Sequence, residues 1–251
     1  MELKDVLSLM VSGAALFLSL FATWRATRTK VYEDRRLART QLTETMARFS
    51  ANDLENAKLF REYGQKDPIY YQNASSILNA SNVQMIQQAR FWMAAVPDLV
   101  TPADYATLAW ACNNAWALLT AEEMQKKAIE SSPQGHQRAM MLRSYAVMMF
   151  NRGRYQEGRD AFGKATTCIT STDDAAHFTN GLTHQIWGSQ EMNAGRADLA
   201  HGQFGEAQAE FERIDSRHLR DNALASLQAA RQGGTATGLP IPAVTPTRDP
   251  A

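Results

Sequence analysis

The stretch LRSYAVMMFNRGRYQEGRDAFGKA, residues 142 to 165, carries the pattern that decides the fold. Within it Ala146, Gly158 and Ala165 are separated by 12 and then 7 positions. The same spacing recurs upstream in Ala109, Ala121 and Ala128, and downstream in Gly188, Ala200 and Ala207. Two antiparallel helices approach closely only where small side chains stand at the contact, so each triplet reads as one helix pair, with the first small residue in one helix and the others in the next. Gly153 and Gly195 mark the turns of the second and third copies. Large residues fill the flanks: Leu108, Tyr145 and Trp187 precede the first small residue, and Phe162 and Phe204 follow the second by four. The first copy has Gln125 at that last place.

This arrangement resembles the tetratricopeptide repeat. Leu142, Tyr145, Ala146, Gly153, Tyr155, Gly158, Phe162 and Ala165 occupy the family's places, and Pro133 closes the copy that begins near Pro102. Successive copies are offset by 37 and 42 residues, longer than the roughly 34 of the family. The resemblance covers residues 102–214. It implies an α-solenoid of antiparallel helix pairs whose first helices line a concave groove, and it makes Trp110, Asn114, Arg143, Phe150, Asn151 and Asn193 the expected partner-binding residues. Asn114, Asn151 and Asn193 each follow the first small residue by five. Asparagines there suit two roles: gripping an extended peptide, or ending a helix in the left-handed conformation.

Helix-start signals recur along the rest of the chain, and alternating β-branched runs do not. Ser50 with Asp53, Thr101 with Asp104 and Thr120 with Glu123 each place a hydroxyl cap three residues before a carboxylate. Pro68, Pro102 and Pro133 each suit a first helical position, and Ser171 or Thr172, followed by Asp173 and Asp174, opens another helix. Residues 51–101 read as degenerate helix pairs. Residues 216–231, with Leu219, Ala223, Leu224, Leu227 and Ala230 on one stripe, read as a polar-backed capping helix. Residues 233–251 hold four of the eight prolines and no aromatic residue, and read as a disordered tail.

Beyond a short flank at residues 1–5, the run VLSLMVSGAALFLSLFATW, residues 6–24, contains no charge. Its length approaches the roughly 20 helical residues that cross a hydrocarbon layer. Residues 25–50 carry seven basic and three acidic side chains, so they read as a basic juxtamembrane helix that leaves the C-terminal domain cytoplasmic. Ser8 with Ser12, and Ala15 with Ser19, are small-residue pairs suited to close helix approach and hence to a homo-oligomer.

Lysine plus arginine equals aspartate plus glutamate at 26 each, so no net field draws the chain to nucleic acid. Two cysteines, Cys112 and Cys168, make no disulfide framework and lack metal spacing. Gly158 to Lys164 matches most of a phosphate-binding loop, but Ala165 replaces the magnesium-binding hydroxyl and no strand precedes it. His177, His184 and Glu191 share a helix face at a spacing of seven, about 10 Å along the axis, too far for two of them to ligate one ion. No catalytic, cofactor-binding or metal-ligating set emerges. The expected function is a single-pass membrane scaffold that binds a protein or peptide partner without catalysis. The alternative is a structural membrane component that oligomerises through its anchor and juxtamembrane helix.

Overall fold

The computed structural model describes the backbone of residues 3–232 and the side chains of residues 20–232. Among the described residues every regular element is helical: α1 (Leu3–Tyr63), α2 (Pro68–Ala95), α3 (Pro102–Asn114), α4 (Leu118–Ser131), α5 (His136–Asn151), α6 (Tyr155–Thr167), α7 (Asp174–Asn193), α8 (Ala197–Glu212) and α9 (Arg217–Arg231), with a 3-10 turn at Pro97–Leu99. The chain is all-α, as its periodicity requires. It divides into two units, residues 1–124 and 125–251.

In the first unit α1 and α2 form a long antiparallel hairpin. Along α1 the positions Ala38, Leu42, Thr45, Phe49, Asn52, Asn56, Leu59 and Tyr63 are buried or half-buried, and along α2 so are Tyr71, Ser75, Leu78, Asn82, Met85, Ala89, Trp92 and Val96. Both series alternate steps of four and three, the seam of a coiled coil. Phe60 meets Tyr71 with ring centroids 5.4 Å apart, Asn52 donates to Asn82 at 2.8 Å, and Arg35 pairs with Asp98. Partners thus descend one helix as they ascend the other. α3 packs on both helices. Its start combines Pro102 at the first turn with a capping box between Thr101 and Asp104, and Arg39 ties Asp104 to α1 at 2.6 Å.

In the second unit α5 packs against α6, α7 against α8, and α8 against α9, while α5, α7 and α9 also touch in succession. Ala128, Ala146, Gly158, Ala165, Gly188, Ala200 and Ala207 are all buried, as are Ala109 and Ala121 in the first unit. The close approach is direct: a Cβ on Gly158 would lie 3.1 Å from the Ala146 carbonyl oxygen, and one on Gly188 would lie 3.2 Å from that of Ala200. Phe162 and Phe204 are the large buried flanks. Gln125, the odd residue of the first copy, is also buried, and it donates to the Met141 carbonyl at 2.8 Å.

Several sequence signals resolve differently. α1 runs unbroken through Ser50, because the seam from Ala38 to Tyr63 continues across it and outweighs a local cap. Residues 51–101 therefore contribute the C-terminal end of α1, all of α2 and the 3-10 turn. Thr120 lies inside α4, and α5 opens at His136 behind Gly135, not at Pro133. Ser132 instead donates back to the Ala128 carbonyl at 2.6 Å, closing α4. Among the described residues no helix is long and apolar enough to cross a membrane. The side chains of residues 6–19, most of the charge-free run, and the whole of the proline-rich tail 233–251 lie outside what the structure describes.

Candidate functional site

Two of the expected partner-binding residues come together on α3, around a carboxylate of α1. Asp53 accepts a hydrogen bond from the Trp110 indole and another from the Asn114 amide, the latter at 3.4 Å. Burial pushes the Asp53 carboxyl above its ordinary range, and the two neutral donors oppose that only in part. Trp110 nonetheless leaves half its surface in solvent. Leu54, beside Asp53, is exposed as well.

The chain then turns from α3 to α4 in a geometry that recurs twice in the second unit. Ala117 N–H reaches the Cys112 carbonyl at 2.8 Å, as Arg154 reaches Met149 and Arg196 reaches Glu191, each at 2.9 Å. These closures require one left-handed residue. Gly153 (φ 72°) and Gly195 (φ 75°) supply it in two turns; in the third it is Trp116 (φ 60°). A left-handed conformation costs an L-residue about 1–2 kcal/mol. Trp116 is 84% exposed and Leu119, three residues on, is 87% exposed, so burial returns nothing for that strain.

The other expected residues sit elsewhere. Phe150 is buried against Gly158 and lies 5.9 Å from the Phe162 ring, so it belongs to the core and offers no face to a partner. Arg143 is half-buried; its Nη1 is fully enclosed without a hydrogen-bond partner, and burial lowers its pKa. Asn151 and Asn193 are exposed beside the Gly153 and Gly195 turns. Lys164 lies on α6 in an open cleft of about 600 Å³ with Arg138 and Cys168, and the phosphate-loop look-alike is helical throughout.

His177, His184 and Glu191 are dispersed to separate partners. His177 bonds Glu210 and His184 bonds Gln203, both at 2.8 Å. Glu191 accepts two bonds from Arg159, at 2.7 and 2.8 Å, and one from Trp187 at 3.0 Å. Among the described residues no group of three or more His, Cys, Asp or Glu side chains is placed to hold a metal ion.

From the sequence Asp53 reads only as a capping partner, and Trp116 and Leu119 belong to none of the repeat's marked places. Aligning the turns would have exposed the anomaly, since Asn-Ala-Trp at 114–116 stands where Asn-Arg-Gly and Asn-Ala-Gly stand in the other copies. The fold and its corner define the class: an all-α protein of adjacently packed helices that presents an aromatic, carboxylate-bearing corner. Compared with known proteins, the chain matches no family, no curated relative and no solved structure.

Proposed function

We propose that this chain is a membrane-anchored, tetratricopeptide-like helical scaffold that holds a partner protein or peptide and performs no chemistry of its own. The observation that carries the reading is the end of α3 and the turn after it, where Trp110 bonds Asp53 and where Trp110, Trp116 and Leu119 are exposed to solvent. Exposed indoles on a rigid support are the usual anchors of protein recognition. Buried small residues at a repeated spacing support the helical-repeat part of the reading. The charge-free run 6–24 with its basic flank supports the anchor. Trp110 and Asn114 in the first unit, and Asn151 and Asn193 in the second, are the proposed contact residues.

A photo-cross-linking side chain at position 110 in the full chain, expressed in cells, should yield one discrete adduct. The same group at Asn222, an exposed position on α9, should not. Identical products from both positions would defeat the scaffold reading. Resistance of the chain to alkaline extraction from membranes, lost when residues 1–24 are removed, tests the anchor.

The alternative, oligomerisation through the anchor and juxtamembrane helix, has its own support. Leu20, Phe21, Trp24, Val31, Tyr32 and Leu37 are all exposed, on the part of α1 that precedes the hairpin. Sedimentation of the detergent-solubilised chain with and without residues 1–34 separates the two. A monomer in both cases removes the oligomer.

A further inference from the structure

We propose that the Asp53 corner selects a partner segment carrying a lysine or arginine beside aliphatic side chains, the cation seating between the indoles of Trp110 and Trp116 against the Asp53 carboxylate. This rests on the partner-binding reading above and deepens it. Asp53 is partly buried, and the groups that bond it are both neutral, so among the described residues its negative charge meets no cation. From Tyr105 to Ala121 the sequence holds no charged side chain. One turn along α1 the Asn56 side-chain oxygen is buried with no donor. α3 ends at Asn114, adding the partial negative charge of a helix C-terminus. The corner therefore gathers acceptors and apolar rings and lacks a cationic donor. Indole faces attract ammonium and guanidinium groups, most strongly when water is displaced, and Leu54, next to Asp53 in sequence, and Leu119, three residues after Trp116, are exposed aliphatic side chains.

Trp116 gives the independent sign of function. Its ring makes no aromatic or cation contact in the described structure, yet the turn forces it into a backbone conformation that the equivalent turns reserve for glycine. Strain without any packing return marks a side chain held for something outside the chain.

Two other occupants fit less well. From Trp24 to Asp53 α1 rises about 43 Å, at about 1.5 Å per residue, which sets the corner far from any bilayer entered by residues 6–24. A second copy would oppose one acidic corner with another, and its own basic run 25–36 would stand about 26–42 Å away along α1 if both copies were anchored in one membrane.

The test immobilises the full chain in detergent and applies four pools of otherwise identical aliphatic dodecapeptides whose central residue is Lys, Arg, Gln or Glu. The Lys and Arg pools should be retained at least tenfold above the other two. Asp53→Asn and Trp116→Gly should each bring them down to the Gln level. Trp116→Gly should at the same time raise the thermal midpoint, because glycine fits the left-handed position; a structural tryptophan would lower it. Equal retention of all four pools would overturn the cationic class while leaving partner capture intact. Loss of the position-110 cross-link as well would remove the scaffold reading itself. Sedimentation showing a dimer that Trp116→Gly converts to monomer would make a second copy the occupant and overturn the proposal.

Discussion

At Gly188 a single added carbon atom decides whether two helices can touch. Its Cβ would lie 2.7 Å from the Phe204 ring and 3.2 Å from the Ala200 carbonyl, and the buried ring has little room to retreat. Gly188→Ala is expected to destabilise the fold by about 1–3 kcal/mol, read as a lower denaturant midpoint, whereas Gly202→Ala, which meets nothing within 4 Å, should raise helix stability slightly. Glu191 behaves as a charge version of the same logic. Its burial alone would raise the carboxyl pKa, but the donors on Arg159 and Trp187 outweigh that and hold it below its usual range. A lowered folded-state pKa contributes stability above the ordinary carboxylate range and loses it as pH falls, so Glu191→Gln should flatten the acid limb of the stability profile. The two cysteines differ in kind. Cys112 is fully enclosed and its thiol is pushed up to about 11, while Cys168 is partly exposed. A maleimide at neutral pH should label Cys168 first and Cys112 only after unfolding.

Among the elements, the α1–α2 hairpin was the least legible and the paired helices of the second unit the most. The 12-and-7 spacing could be read because it repeats, and each copy corroborates the others. The hairpin appears once, and its seam runs through Asn52, Asn56, Ser75 and Asn82, polar residues that hide a period of four and three. Local cap chemistry at Ser50 then drew attention to a boundary that does not exist. The Asn52–Asn82 bond explains what those polar residues do, since a buried amide pair costs stability but pins register. Replacing both by leucine should raise the thermal midpoint. Replacing Asn52 alone should lower the folding stability by about 1–3 kcal/mol, because the buried Asn82 amide is left without its partner. The corner was half legible for a similar reason: Trp110 and Asn114 follow from the repeat, but their meeting with Asp53 depends on α1 passing beside α3.

For the whole molecule, α1 is both the longest element and the least supported at one end. Side chains 20–37 are exposed, and within that stretch Arg35 alone holds a long-range ion pair, to Asp98. Removing residues 1–34 should therefore leave the unfolding free energy of the remaining helices within about 0.5 kcal/mol of the full chain, measured by denaturant titration followed by circular dichroism. Because α1 is one uninterrupted helix from Leu3 to Tyr63, it also works as a torsion shaft. A single alanine inserted near residue 29 would turn everything ahead of it by about 100° against the hairpin, and seven would bring the two ends back nearly into phase. Any process that senses the azimuth of the head should fail with one extra residue and recover with seven.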